Sequence, residues 1–177
     1  MPLDQKIGRG NNVVFKNAKF DFKELVNAFK FWSKKQGYHI FKVDEIVEFK
    51  TPKGIKMDVS FSFAKNIDYY SQSKFDVKFK ARRCKKVTGK NKDGKLKTLY
   101  EGNFVATIDS KIVLDYANKF TNKGKFEDYF HHFFYEFIYE PRFVKYKVNT
   151  GINTGKSMDI IKDNIKKNEE FKIVSFS

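Results

Sequence analysis

One cysteine, three prolines, one tryptophan and four arginines in 177 residues remove several classes of protein at once. Cys84 has no second cysteine to bridge, so a disulfide-stapled scaffold is excluded and nothing asks for an oxidising compartment. No apolar run reaches the roughly 18 residues of a membrane-spanning helix, and no apolar h-region follows Met1, so no membrane span and a cytoplasmic location are expected. The three histidines are His39, His131 and His132. The adjacent pair points about 100° apart on a helix and does not converge as ligands at i and i+4 do, so no metal or other cofactor is expected. Only Arg9, Arg82, Arg83 and Arg142 are arginines, which argues against base-specific reading of a duplex, where bidentate arginine is the commonest device.

What remains is apolar enough to fold and strongly basic. Hydrophobic residues make up 41% and aromatics 18%, which excludes a disordered chain. The formal charge is +15, nearly all of it carried by lysine. Phe, Asn, Ile and Tyr are abundant as well, and all share A/T-rich codons with lysine, so genomic composition accounts for part of the excess. A basic chain still attracts acidic partners at long range.

Residues 1–12 are polar and glycine-containing and read as a flexible leader to a single domain over 13–177. Phe22, Leu25, Val26, Phe29 and Trp32 recur at helical spacing, with Asp21 as N-cap, Glu24 three residues later and Gly37 as the stop. From Tyr38 to about Tyr116 the period becomes two. Val43, Val47, Met57, Val59, Phe61, Phe63, Phe75, Val77, Phe79 and Ala81 alternate with polar residues, and Thr51-Pro52-Lys53-Gly54 supplies a turn. Asp93-Gly94 suits a two-residue hairpin loop. That register sets Phe75 against Ile112, Phe79 against Ile108, Ala81 against Ala106, Lys78 against Asp109 and Lys86 against Glu101. Phe126, Tyr129, Phe130, Phe133, Phe134, Phe137 and Ile138 form an aromatic helical stripe closed by Pro141. Phe143–Val148 alternates like a short strand or extended segment, Ser157 is placed to cap a last short helix, and Phe171–Phe176 is an apolar tail suited to add an edge strand or to dock on a neighbour. The expected fold is α+β: an antiparallel meander of about four strands, with an N-terminal helix and C-terminal helices on one face.

Three features bear on chemistry. Gly151-Ile152-Asn153-Thr154-Gly155-Lys156-Ser157 resembles a phosphate-binding loop but has three residues between its glycines where that motif has four. It reads as a glycine-rich turn opening a helix, with Lys156 beside a site for a single anion. Cys84 lies in Arg82-Arg83-Cys84-Lys85-Lys86, where alternation sets it on the polar face and neighbouring cations lower a thiol pKa. No triad order, paired-carboxylate signature or zinc spacing points to catalysis. The third feature is charge: residues 74–97 hold eleven Lys and Arg against Asp76 and Asp93. Alternate strand side chains stand about 6.5–7 Å apart, close to the phosphate spacing of a single nucleic-acid strand.

Lys78, Lys80, Arg82, Arg83, Lys85, Lys86, Lys90 and Lys92 are therefore the candidate contacts for nucleic acid or another polyanion, with Tyr69, Tyr70 and Tyr100 as candidate stacking residues. The reading is a non-enzymatic binding module whose basic hairpin engages nucleic acid or a ribonucleoprotein surface; RNA, DNA and anionic lipid stay open. The alternative is an assembly subunit that forms a homo-oligomer through Phe130, Phe133, Phe134 and Phe137 or through the apolar tail.

Several phrases carry a resemblance. Phe20-Asp21-Phe22-Lys23-Glu24-Leu25 running to Gly37-Tyr38, Ile67-Asp68-Tyr69-Tyr70 before a strand, and Tyr100-Glu101-Gly102 before the strand to Leu114-Asp115-Tyr116 are similar to a group of small uncharacterised archaeal α+β proteins. The similarity covers about residues 20–140, and the basic hairpin and the Gly151–Ser157 segment depart from it. The resemblance implies the fold and carries over no catalytic residue.

Overall fold

A computed structural model describes residues 3–90, 96–114 and 139–176. Its elements are β1 (Leu3–Phe20), α1 (Phe22–Lys35), β2 (Ile40–Thr51), β3 (Gly54–Asn66), β4 (Ser71–Lys90), β5 (Leu96–Leu114), α2 (Glu140–Glu169) and β6 (Lys172–Phe176). The fold is α+β, as expected. All strand pairs are antiparallel, in the order β1-β5-β4-β3-β2, with β6 beside β4. Strands β2 to β5 form the meander. The chain enters at one edge as β1, crosses the sheet as α1 and begins the meander at the opposite edge.

α1 follows from its residues. Asp21 accepts from the amides of Lys23 (2.9 Å) and Glu24 (3.3 Å), which caps the first turn. At the other end the Gly37 amide donates to the Lys34 carbonyl and that of Tyr38 to the Ser33 carbonyl, a Schellman closure that places Gly37 at φ +79°. Phe22, Leu25 and Phe29 are buried. Phe29 packs against Phe61, Phe63 and Phe79 with ring centroids 5.3–6.3 Å apart, and Phe22 lies against Phe79 and Phe104. Met158, Ile161 and Ile165 of α2 join the same cluster, so both helices cover one face of the sheet.

Three expectations need correction. The residues read as a leader are mostly strand: β1 begins at Leu3 and pairs along β5, its polar character fitting an edge interrupted by three register breaks. The segment 143–148 and the Gly151–Ser157 segment both lie inside α2, whose first turn begins sixteen residues before Lys156. The alternation at 143–148 is misleading because α2 buries hydroxyls and amides through much of its length. Thr150, Thr154, Ser157, Asn164 and Asn168 face inward with Phe143, Met158, Ile161 and Ile165, so an apolar 3.6-residue period is absent from its first half. The apolar tail adds a strand, one of the two placements expected of it: β6 pairs with β4 at Val87–Lys90 beyond the end of β3.

The hairpin forms, but in another register. Phe75 faces Ser110, Phe79 faces Ala106, Ala81 faces Phe104 and Lys78 faces Thr107. These pairs differ from the expected ones by two residues, which keeps their side chains on the predicted faces. Lys90 pairs with Leu96, the expected Asp93-Gly94 turn lies outside the described residues, and a bulge between Arg82 and Lys85 takes up one residue. Arg83 adopts φ +55° there. The bulge turns Cys84 into the core, 1% exposed, against Gly102. A Cβ on Gly102 would sit 2.7 Å from Cys84 Sγ, so only glycine fits. Burial pushes the Cys84 thiol up to about 11 although Arg82 pulls it down, the reverse of the activated thiol expected from its neighbours.

Candidate nucleic-acid interface

No described helix lies over the second face of the sheet. Its central rows follow from the pairing: Asn12, Thr107, Lys78 and Ser60 stand side by side, and the next row holds Val14, Val105, Lys80, Asp58 and Val47. Lys78 and Lys80 are exposed. Adjacent strands are about 4.8 Å apart and alternate residues about 6.5–7 Å, so these side chains rise from one patch. The carboxylate nearest Lys80 in register, Asp58, is taken by Arg82: one guanidinium nitrogen lies 2.7 Å and 3.0 Å from its two oxygens, and the other donates to the carbonyls of Met57 and Ala81. Arg82 is therefore committed to the fold, while Lys78 is flanked by neutral Ser60 and Thr107. Further along, Lys74 pairs with Asp76 at 3.3 Å and faces Lys111, and Asp109 faces Asp76.

Beyond the bulge the basic residues divide. Lys85 meets Glu101 at 3.5 Å. Lys86 reaches Glu48 at 3.7 Å and sits 5.6 Å over the Tyr100 ring. Lys97 binds Asp21 and Glu24 of the α1 N-terminus, and Lys167 of α2 holds the same Glu24. Burial pushes the Glu24 carboxyl up, but the two ammonium groups outweigh it and hold it below the ordinary carboxylate value. Arg83, at the bulge, and Lys90, near the end of β4, are exposed. Of the eight hairpin residues singled out by charge, Lys78 and Lys80 lie together on the open face, Arg82, Lys85 and Lys86 are held by carboxylates, and Lys92 lies outside the described residues.

The aromatic candidates separate in the same way. Tyr69 is exposed, whereas Tyr70 is buried against Tyr139. Tyr100 stacks on Phe20 and donates to Glu48 at 3.0 Å; burial and this carboxylate push its phenol up to about 12. Neither Tyr70 nor Tyr100 is free to stack on a base. Sequence reasoning missed Val14 and Val105, apolar neighbours of Lys80 on the open face, because alternation alone did not locate β1 beside β5.

Lys156 is exposed in mid-helix, and with no helix N-terminus beside it the single-anion site is overturned. Phe130, Phe133, Phe134 and Phe137 lie outside the described residues. Among the described residues no group of His, Cys, Asp and Glu is arranged to hold a metal, and no helix is long and apolar enough to cross a membrane. No family model, curated protein or solved structure matches the chain.

Proposed function

We propose that this protein binds single-stranded nucleic acid on the sheet face that no described helix covers, without catalysing a reaction on it. One observation carries the reading: Lys78 and Lys80 stand exposed on an open sheet face while Arg82 neutralises the carboxylate beside them. Two ammonium groups near phosphate spacing supply affinity that does not depend on sequence. Neutral Ser60, Thr107 and Asn12 beside them offer hydrogen bonds, and Val14 and Val105 offer apolar surface to unstacked bases.

The test is fluorescence anisotropy with labelled single-stranded RNA and DNA dodecamers across a salt series, with anionic lipid vesicles as a parallel arm. Affinity is expected to fall steeply with salt. Lys78→Glu/Lys80→Glu should weaken binding at least tenfold and flatten the log–log salt slope by roughly 1.4, at about 0.7 per phosphate contact on a single strand. Binding that is undetectable, insensitive to salt, unchanged in the double variant, or confined to vesicles overturns the reading.

A further inference from the structure

A recess of about 120 Å³ opens on the helix side of the sheet, between Tyr38, Lys65 at the end of β3, Ser73 near the start of β4, and α2. Three of its hydroxyl-bearing residues are buried: Tyr38 is 3% exposed, Ser73 2% and Thr150 3%. Burying hydroxyls beside a core of phenylalanine is costly unless each is bonded. The bonds they make here are long. The Tyr38 and Ser73 hydroxyls lie 3.3 Å apart, those of Ser73 and Thr150 3.2 Å, and the Asn153 amide donates to Tyr38 at 3.3 Å. Hydroxyl pairs ordinarily close to about 2.7–2.8 Å, so these groups stand around a space and are not drawn tightly onto one another.

The protons around that space are not all spent. Three hydroxyls joined by two contacts use two protons, and Tyr38 already accepts from Asn153, so one hydroxyl proton has no described acceptor. Asn153 keeps its second amide proton, and exposed Asn149 offers its own. Lys65 donates to the Gln36 carbonyl at 3.2 Å, which fixes its ammonium beside Gly37 and leaves further protons free. No carboxylate is among the lining residues. Asp68, which Tyr146 of the wall reaches, already accepts four hydrogen bonds. The wall thus presents one positive charge and unspent protons, with no negative charge to meet them. A metal cation would be repelled by Lys65. The volume is that of about four waters at roughly 30 Å³ each, which limits an occupant to a group of a few atoms.

We infer that this recess binds a small oxyanion, a phosphate ion or a carboxylate group, through the Lys65 ammonium and the hydroxyl and amide protons of Tyr38, Ser73, Thr150, Asn149 and Asn153. Charge-assisted bonds to an anion are shorter and stronger than those between neutral hydroxyls, so the anion draws the spread donors together. Burial pushes the Tyr38 phenol above its ordinary value, against the pull of its bonds to Ser73 and Asn153, and Tyr38 keeps its proton to donate. Ser73 shares its face of β4 with buried Phe75, Val77 and Phe79, across the sheet from Lys78 and Lys80. The site therefore stands independently of nucleic-acid binding.

Amide NMR spectra of the full chain, titrated at constant ionic strength with inorganic phosphate, acetate and neutral acetamide, test it. Phosphate or acetate should shift the Asn149 and Asn153 side-chain amides and the Thr150 backbone amide saturably. The tighter of the two anions tells a phosphate site from a carboxylate site. Lys65→Met should weaken that binding about tenfold and Ser73→Ala about threefold, each variant being checked for a dispersed spectrum. Lys78→Glu/Lys80→Glu should leave it unchanged, which separates it from nucleic-acid binding on the other face. The inference is overturned by shifts that do not saturate, by shifts spread over the lysine-bearing surface (an adventitious ion only), by an equal response to acetamide, or by unchanged binding in either folded recess variant.

Discussion

Helix α1 meets the sheet through Phe22, Leu25 and Phe29, whereas the middle of α2 turns Thr150, Thr154 and Ser157 inward. The Thr154 hydroxyl donates to the Thr150 carbonyl at 2.9 Å and meets the Ser110 hydroxyl at 2.9 Å. Thr150 meets Ser73 at 3.2 Å, and Ser73 meets the Tyr38 phenol at 3.3 Å. Asp68 adds a clasp: one oxygen accepts from the amides of Tyr70 and Ser71, the other from the phenols of Tyr139 and Tyr146 near the start of α2. Burial and this carboxylate push the Tyr139 phenol far above its ordinary value, so it stays a donor. Non-directional apolar contact dominates α1, whereas α2 adds directional bonds in its middle to apolar contacts at Phe143, Met158, Ile161 and Ile165. The difference teaches that helices on one sheet face need not be held by one kind of force.

The contrast can be broken at its strongest point. Phe29→Ala empties a site walled by aromatic rings and should cost about 3–5 kcal/mol in urea unfolding. Asp68→Ala strands two phenols and two turn amides and should cost about 2–3 kcal/mol, with hydrogen exchange rising first at the N-terminal turns of α2. Thr154→Val keeps the shape but removes the hydroxyl shared with Ser110; a loss of about 1–2 kcal/mol is expected. A neutral result there would make α2 a packing helix like α1. Gly151 and Gly155 have open space where a Cβ would stand, so each change to Ala should stabilise by up to about 1 kcal/mol, read as a rise in Tm. The smallest effect concerns Glu24. Its folded pKa is lowered, so its contribution is present above the ordinary carboxylate value of 4.5 and is lost as pH falls through the folded value. Glu24→Gln should flatten that acid limb of the stability curve, and salt should mimic it.

The same contrast explains what the sequence made legible. α1 announces itself because its buried face is apolar at i, i+3, i+4 and i+7, and its cap and Gly37 sit where the helix ends. The central strands are legible because each buries every second residue. The first half of α2 hides because threonine, serine and asparagine look solvent-facing until Ser73 and Ser110 are placed opposite them. Cys84 was misplaced for a related reason: a bulge shifts alternation by one residue, and only the close approach of Gly102 signals it. On the open face, charge located Lys78 and Lys80, but the pairing of Arg82 with Asp58 and of Lys86 with Glu48 depended on how β3 and β2 lie against β4, which alternation alone does not give.

The pairing of β1 with β5 also bears on how the chain is made. Leu3 pairs with Leu114 and Phe20 with Tyr100, so β1 is synthesised roughly a hundred residues before its partner strand exists. Ladders closed over such separations form slowly, and an unpaired strand exposed meanwhile invites wrong neighbours. Asn11, Asn12, Lys16 and Lys19 along β1 make it a poor template for association. Its interrupted, polar character thereby protects the nascent chain during synthesis, before it contributes anything to the finished sheet.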